Sequence, residues 1–282
     1  IIAGCNPYCS IFELWQEKRG EIPVKEEESE VIHFGKVLED VVRKEFIQRT
    51  GLMVRKKNSI LRSKEYPFMI ADLDGVVSEF DGTYSIFEAK TAIEFKNNDW
   101  KNGEIPKAYQ LQVQHYLAVT GFQKAYIAVL VGGNKFYWTE VYRDEQLIKM
   151  LISMESHFWH CVKTGEEPDV DASKATSLYL GAKYSNAKVG SIIDLDEQML
   201  SAIEKYEQIK VELDSLTEQK QLIENQLKSA LAENEAGRVG EHIVKWKQVV
   251  QTRIDSGKLK EKHKDIYDDC KKEVTYRKFS VA

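Results

Sequence analysis

Apolar and polar positions follow regular periods over the first 168 residues, and each period predicts a helix or a strand. Helical spacing of three and four residues predicts helices over 31–50, 106–120 and 144–164. The apolar face of the first helix consists of Phe34, Leu38, Val41, Val42 and Phe46. Strands are expected over 52–62, 66–80, 83–91, 124–131 and 135–142. This alternation predicts a mixed α/β (α+β) domain over residues 1–168.

The pattern changes near residue 170. Residues 169–192 are rich in Ser, Lys, Ala and Gly and are expected to form a linker, and 193–236 form a long polar helix with a heptad repeat. The a positions are Met199, Tyr206, Leu213, Lys220 and Leu227, and the d positions are Leu195, Ala202, Ile209, Leu216, Ile223 and Ala230. A helical hairpin packed on its own domain and an intermolecular coiled coil both fit this pattern. Residues 237–282 are expected to form a small α/β tail, with strands at 241–251 and 276–281.

Composition excludes several classes of protein. Of the 282 residues 43% are hydrophobic, which excludes a wholly disordered chain, and the net charge of −5 excludes nonspecific nucleic-acid binding through bulk positive charge. No apolar stretch reaches about 18 residues, so no membrane span is expected. The four cysteines indicate free thiols in a reducing cytoplasm. The chain opens on Ile1 without Met or a signal sequence, as expected of a fragment whose true start is missing.

The segment around Asp81-Gly82 predicts a hairpin whose register decides where Asp74 points. A two-residue turn would pair Asp74 with Ala89 and place the aspartate on the wrong face. A three-residue loop with Gly82 in the left-handed conformation instead pairs residues whose numbers add to 162, so that Asp74 lies opposite Glu88. We expect this second register, which brings two carboxylates about 5 Å apart at Cβ.

Two carboxylates at that distance repel each other unless a cation or a proton lies between them. Mg²⁺ prefers oxygen ligands and keeps waters for a substrate phosphate. Asp74 and Glu88, with the Ala89 carbonyl, can therefore hold one or two such ions, and Lys90 on the same strand face can stabilise charge on the phosphate. The alternative is an exposed hairpin that carries an ordinary surface ion pair.

Two helices add further candidates. Glu39 shares a helix face with Gly35, Val42 and Phe46, where a carboxylate is costly unless it is paired or binds a metal. The alternative for Glu39 is a helix charge turned slightly outward. Gln112 and Tyr116 lie four residues apart on another helix, and taken alone they would be a half-buried amide and a core tyrosine.

The combined order G-x-x-x-E, D-G, E-x-K and Q-x-x-x-Y resembles the PD-(D/E)XK nuclease superfamily. More narrowly, residues 1–168 resemble the YqaJ-type viral recombinase family, to which phage lambda exonuclease is related. The matching pieces are Gly4-Cys5-Asn6-Pro7-Tyr8, Glu13-Leu14-Trp15 with Lys18 and Gly20, Gly35 through Glu39, Asp74-Gly75, Glu88-Ala89-Lys90, Gln112 through Tyr116 with Thr120-Gly121, Val129 through Gly133, and Phe158-Trp159.

The resemblance implies a restriction-endonuclease-like core with a central mixed sheet flanked by helices. It implies an exonuclease that uses two Mg²⁺ (or Mn²⁺) ions to degrade one strand of linear duplex DNA from its 5′ end. Its metal ligands would be Glu39, Asp74, Glu88 and Ala89, and its catalytic set would be Lys90, Glu88, Asp74, Gln112 and Tyr116. Gln114 would contact the DNA.

The same resemblance implies partners. The 3′ strand left by digestion would pass to a phage-type single-strand annealing protein, and relatives suggest a homo-trimer around DNA, in the cytoplasm of a bacterium that hosts a phage or prophage. The expected 5′-phosphate clamp would precede Ile1 and cannot be located. Asp72, where many relatives have an uncharged residue, is either a third acidic ligand or salt-bridged, and we favour the second.

Segment 94–107 follows the E-x-K strand and is expected at the edge of the site. Lys101 and Lys107 would provide a cationic path for phosphates there, and Trp100 would stack on or wedge a base. Ordinary solvated surface is the alternative.

Two other functions compete with the exonuclease. One is a structure-specific endonuclease of the same superfamily. The other is a nonenzymatic assembly protein that acts through its heptad region.

Overall fold

The computed structural model describes residues 1–6, 8–24, 29–272 and 274–281, and these residues form two compact units, Ile1–Lys183 and Tyr184–Ala282. The first unit is built from α1 (Ile11–Arg19), α2 (Glu30–Thr50), β1 (Met53–Arg55), β2 (Leu61–Arg62), β3 (Ile70–Ala71), β4 (Gly75–Ser78), β5 (Tyr84–Ala92), a 3₁₀ segment (Glu94–Gly103), α3 (Lys107–Thr120), β6 (Lys124–Val131), β7 (Lys135–Tyr142), α4 (Glu145–Thr164) and α5 (Lys174–Lys183).

A five-stranded mixed sheet forms the centre of the first unit. Its order is β1-β4-β5-β6-β7, with β5 and β6 parallel and the other neighbours antiparallel. The crossover from β5 to β6 runs through the 3₁₀ segment and α3, as a parallel pair requires. The predicted mixed sheet flanked by helices is therefore confirmed. The predicted strands 52–62 and 66–80 are each interrupted, because β2 and β3 leave the main sheet and pair with each other.

The β4–β5 hairpin has the predicted register. Gly75 pairs with Phe87 and Ser78 with Tyr84, so the paired numbers add to 162. The Glu79 N–H donates to the Thr83 carbonyl across a three-residue loop, in which Gly82 has φ +85°. A side chain at that φ would be strained, and glycine removes the strain.

Apolar side chains cover both faces of the sheet. On one face, Val42 and Phe46 of α2 pack against Phe87 and Tyr126. On the other, α3 contributes Val113 and Leu117 to a core that also contains Trp100, Ile86, Ile127, Val129 and Ile148. Strand β5 is thus packed between two layers of helices.

The predicted apolar face of α2 is only partly buried. Val42 and Phe46 are buried, whereas Phe34 is 52% exposed and Val41 is 49% exposed. The prediction was wrong for these two residues, because the buried residues of α2, Val42 and Phe46, lie in its C-terminal half and Val41 points away from that row.

The segment expected to be a linker contains α5, which belongs to the first unit. Ala175 and Thr176 are buried, and Tyr179 stacks on Phe12 of α1 with ring centroids 5.0 Å apart. Asp171 accepts from the Ser173 N–H, and Ser173 Oγ accepts from the Thr176 N–H at the start of α5. Ser- and Ala-rich composition alone did not reveal this helix.

The second unit consists of α6 (Gln198–Leu231), β8 (Ala236–Val239), β9 (His242–Lys245), α7 (Ser256–Lys262) and α8 (Lys264–Cys270). The long heptad helix is present as α6. Gly237, expected just beyond that helix, lies inside β8 of a short hairpin. The predicted strand at 276–281 is wrong, since those residues form no sheet pair. In the described part of the chain, no helix combines the length and apolarity that crossing a membrane requires.

Replacing Gly75 with Ala is expected to destabilise the protein. An added Cβ would lie 2.8 Å from Val54 Cγ1 and 3.1 Å from the Arg55 carbonyl oxygen, so β1 would have to move. We expect the free energy of unfolding in urea to fall by about 1–3 kcal/mol. Gly181→Ala is the control, because a Cβ there meets nothing within 4 Å and alanine favours the helix. Equal effects of the two substitutions would contradict the close approach of β1 and β4.

His115 joins three elements of the first unit. Its Nδ1 lies 2.7 Å from Glu155 Oε1 on α4, and its Nε2 lies 2.8 Å from the Ile70 carbonyl oxygen of β3. Both partners accept hydrogen bonds, so both ring nitrogens must carry hydrogen, as in the imidazolium. Burial lowers the pKa of His115, but the Glu155 carboxylate and the Ile70 carbonyl outweigh it and raise the pKa above its ordinary value.

The stability that His115 contributes should therefore depend on pH. A raised folded pKa means that this contribution is complete below the unfolded pKa of about 6.5 and disappears as the pH rises through the folded pKa. We expect the difference in unfolding free energy between the native protein and His115→Gln to shrink as the pH rises from about 6.5 into the alkaline range. Urea titrations across that range measure it, and a difference that grows with pH would contradict the doubly donating ring.

Candidate active site at the β4–β5 hairpin

Asp74 precedes β4 and lies opposite Glu88 of β5 in the register described above. Asp74 Oδ2 accepts a hydrogen bond of 2.8 Å from the Ala89 N–H, which fixes the aspartate against the interior of β5. Burial raises the pKa of Asp74, against the Ala89 N–H and the Lys90 ammonium, which lower it. Two acidic groups are thus held at one end of the hairpin.

Glu88 is only 2% exposed, which is unusual for a carboxylate. Its Oε1 accepts from Lys90 Nζ at 2.6 Å and from Gln112 Nε2 at 3.0 Å, while its buried Oε2 has no hydrogen-bond partner among the residues that the structure describes. Burial raises the pKa of Glu88 to about 7; Lys90 lowers the pKa, and the Asp74 and Glu39 carboxylates raise it. Glu88 is therefore a desolvated carboxylate with one oxygen left available.

A half-buried glutamate at the opposite end of the same hairpin, Glu79, has a partner for each of its two carboxylate oxygens. Glu79 Oε1 accepts from Ser85 Oγ at 2.5 Å and lies 3.1 Å from Lys124 Nζ, and Glu79 Oε2 accepts from Tyr126 Oη at 3.2 Å. A half-buried Glu–Lys pair in this fold can therefore have partners for both carboxylate oxygens. The unpaired oxygen is a property of Glu88.

Glu39 reaches the same region from α2. Gly35 lies one turn earlier, and a Cβ on it would be 3.9 Å from Thr91 Oγ1, so the helix runs close to β5 at this level. Glu39 is half-buried, and its pKa is raised by burial first and by the Asp74 carboxylate second. The predicted position of Glu39 beside the hairpin acids is therefore observed.

Gln112 and Tyr116 approach from α3 on the other side of β5. Gln112 Nε2 donates to both Glu88 Oε1 and Tyr116 Oη, the latter at 3.1 Å. Burial, followed by the nearby Glu88 carboxylate, raises the pKa of Tyr116 to about 12. The phenol therefore keeps its hydrogen at neutral pH, and because its oxygen accepts from Gln112, that hydrogen can be donated elsewhere.

The carboxylates of Glu39, Asp74 and Glu88 are suitable ligands for a hard divalent cation. Carboxylate oxygens are what Mg²⁺ binds, and the unpaired Glu88 Oε2 together with the mutual repulsion of three acids favours a cation among them. Within the residues that the structure describes, no three or more His, Cys, Asp or Glu side chains are already arranged as a metal-binding group. Lys90 is the cation that contacts Glu88 instead.

Tyr109 was not among the site residues predicted from the sequence. Lys90 Nζ lies 4.9 Å from the centre of its ring, and Trp100 stacks on the ring with centroids 5.5 Å apart. Tyr109 thus supports the lysine by a cation–π contact. Tyr109 lies one turn before Gln112, on the helix face that carries Val113 and Tyr116, and this spacing could have identified it as a site residue from the sequence.

Two predicted DNA contacts are contradicted by burial. Trp100 is 4% exposed within the core that contains Val113 and Ile127, so its ring has no free face for a base. Gln114 is 2% exposed, and its amide donates to the Tyr142 carbonyl and accepts from the Asp144 N–H. Both side chains hold the fold together.

The remaining candidates lie at the surface. Lys101 and Lys107 are exposed at the end of the 3₁₀ segment and the start of α3, and their proposed contact with phosphate stays a prediction. Asp72 is also exposed, two residues before Asp74. Ala89 contributes its N–H to Asp74, and its carbonyl remains a predicted metal ligand.

Comparison with known proteins identifies related chains. A family model described as a YqaJ-like viral recombinase domain matches residues 1–123. YqaJ of Bacillus subtilis (strain 168) is 42% identical over 284 aligned positions, which cover all of this chain and 88% of the relative.

Solved structures of similar proteins include an alkaline exonuclease from Laribacter hongkongensis, with 21% identity, a TM-score of 0.48, and coverage of 55% of this chain and 78% of that one. A phage related exonuclease from Haemophilus somnus 129PT has 13% identity and a TM-score of 0.43, and the match covers 55% of this chain and 81% of the other.

The Bacillus relative is similar along the full length of the chain, including the second unit, and the family model covers α1 through α3, which carry the candidate site. The identity is well above what a shared fold alone would produce. The chain therefore belongs to the YqaJ family of proteins with a viral recombinase domain.

Proposed function

We propose that this protein is a metal-dependent DNA exonuclease of phage recombination, which hydrolyses one strand of linear duplex DNA in the 5′→3′ direction. The observation that carries the proposal is the Glu88 carboxylate, which is buried between other acids with one oxygen unpaired and a lysine on the other. A protein that needed Glu88 only for stability would satisfy both oxygens, as it does at Glu79.

Each group has a chemical task in this proposal. Two Mg²⁺ (or Mn²⁺) ions held by Glu39, Asp74, Glu88 and the Ala89 carbonyl would supply positive charge to the phosphate and lower the pKa of the attacking water. Lys90, positioned by Glu88 and the Tyr109 ring, would donate to a phosphate oxygen as charge develops there.

Tyr116 would donate its phenolic hydrogen to the substrate, since its high pKa keeps it protonated. Gln112 is a positioning residue in this scheme, because its amide joins Glu88 to Tyr116. Exposed Lys101 and Lys107 would supply phosphate contacts near the site.

The direction of digestion and the biological role rest on the family. Its viral recombinase domain supports a role in phage-type recombination, in which the surviving 3′ strand would be passed to a single-strand annealing protein. A homo-trimer around DNA and action in the cytoplasm of a bacterial host are parts of the same proposal.

Loss of either partner in the Glu88–Lys90 pair should remove activity without unfolding the protein. We expect Glu88→Gln and Lys90→Ala to lower the rate of DNA hydrolysis by about 10²-fold or more, the size usual for a lost catalytic acid–base or charge-stabilising group. Release of acid-soluble nucleotides from duplex DNA with Mg²⁺, compared with EDTA, measures the rate.

Glu79→Gln and Lys124→Ala are the matched controls, because they remove the half-buried ion pair between Glu79 beside the hairpin loop and Lys124 of β6. Thermal unfolding should respond to both sets of variants, whereas only the Glu88 and Lys90 variants should lose activity. Equal activity of all four variants would contradict the proposed site.

The polarity of digestion has its own test. A linear duplex with one 5′-phosphorylated end should release label from that end first and leave 3′ single strand, while a closed circular duplex stays intact. Nicking of the circle would favour the structure-specific endonuclease. No hydrolysis of either substrate by the folded protein with Mg²⁺ or Mn²⁺ would favour the nonenzymatic assembly protein.

A further inference from the structure

A second lysine, Lys56, lies beside the candidate site on the side of the sheet that α2 covers. β1 ends at Arg55, which pairs with Val76 of β4, so the following residue lies next to Gly75 and the end of Asp74. Lys56 shares a strand face with Val54, which is buried against α2. The lysine therefore points from β1 towards the helix that carries Glu39.

Lys56 and Arg43 share one carboxylate on that helix. Lys56 Nζ lies 2.8 Å from Asp40 Oδ1, and Arg43 Nη2 donates to the same oxygen at 3.0 Å. The Arg43 side chain is mostly buried, which fixes its guanidinium against Asp40. Two positive charges thus meet one negative charge, and the surplus positive charge belongs to the more exposed cation, Lys56.

The Lys56 ammonium is close to the metal-ligand candidates but does not occupy their site. Asp40 directly follows Glu39 in α2. Burial raises the pKa values of Glu39 and Asp74, and Lys56 acts in the opposite direction on both, as Lys90 does from the α3 side. Among the residues that the structure describes, the ion-pair partner of Lys56 is Asp40 and not either of these two acids. A cation therefore flanks the acids on each side of the sheet.

The Asp40–Lys56 pair contributes little to the stability of the fold. The two side chains are 46% and 45% exposed, and ion pairs with that exposure are weak in water. The ammonium also remains accessible to an anion from solvent. A DNA strand brings such anions in series, because it carries one phosphate at each nucleotide. When one phosphate occupies the metal site, its neighbours must lie along the adjoining surface.

We propose that Lys56 binds the DNA phosphate next to the scissile one, on the α2 side of the site. Asp40 would hold the ammonium at the edge of the site before DNA binds and would share it with the phosphate afterwards. This inference rests on the proposed nuclease function, which supplies the phosphate in the metal site. A contact to phosphate positions the strand without reading its sequence.

The other cations proposed to contact DNA approach from a different direction. Lys101 and Lys107 lie at the end of the 3₁₀ segment and the start of α3, which follow β5 in the chain, whereas Lys56 follows β1 at the edge of the sheet. Lys56 would therefore hold a part of the strand that those two lysines do not hold.

Steady-state hydrolysis of linear duplex DNA with Mg²⁺ tests the proposal. Lys56→Ala should raise KM by about fivefold to tenfold near 0.1 M salt and leave kcat within about twofold, because the contact binds substrate and transition state alike. The slope of log kcat/KM against log salt should become shallower by about 0.9, the effect of one lost phosphate contact. Lys56→Arg, which keeps the charge, should restore most of both losses.

Two variants serve as controls. Lys44→Ala removes an equal charge from the exposed side of α2, beside the same Asp40, and should keep the native KM and salt slope. Asp40→Asn should not raise KM, because asparagine can still accept from Lys56 and one negative charge is removed near the DNA.

The outcomes separate this inference from the function on which it rests. If the native chain hydrolyses DNA but Lys56→Ala behaves like Lys44→Ala, the Lys56 contact is overturned and the nuclease stands. A rise in KM for Asp40→Asn equal to that for Lys56→Ala would also overturn the contact, since the pair would then serve only the fold. A native chain without nuclease activity would overturn the proposed function and this inference together.

Discussion

The alignment of Asp74 with Glu88 across the β4–β5 hairpin is the constraint on which the candidate site depends. A shift of one residue would turn one of the two carboxylates to the opposite face of the sheet. The three-residue loop closed by the Glu79 N–H and shaped by Gly82 prevents that shift. The close approach of Gly75 to β1 then holds the aspartate's strand in place. A short loop thus determines the position of acids at the far end of the strand.

Two Glu–Lys ion pairs at opposite ends of the β4–β5 hairpin illustrate the difference between stability and chemistry. At Glu79 both carboxylate oxygens have partners, so the cost of burial is offset and the pair can serve the fold. At Glu88 one oxygen is left without a partner and other acids lie nearby, an arrangement that is unfavourable until a cation or proton arrives. Functional sites commonly retain such unfavourable groups, because the rest of the fold supplies the stability.

The layers around β5 explain how three separate segments reach the site. α2 brings Glu39 from one side, because Gly35 allows the helix to approach β5 near Thr91. α3 brings Gln112 from the other side, and its neighbour His115 ties that helix to β3 and α4. Side chains that face the interior of these layers, such as Trp100 and Gln114, are used to position the helices and the loops between them.

The sequence by itself determined the order and type of most elements and the register of the hairpin, because these follow from local periodicity and turn geometry. The grouping of Glu39 with Asp74, Glu88 and Lys90 was instead implied by the resemblance of the sequence to the nuclease superfamily. Only the tertiary structure decided that Trp100 and Gln114 are buried, that Phe34 and Val41 are exposed, and that residues 174–183 form a packed helix. Burial depends on which distant segments cover a side chain, and such contacts leave no local period in the chain. The unpaired oxygen of Glu88 was likewise decided by the tertiary structure. Among the described residues, no donor from an element distant in sequence reaches it.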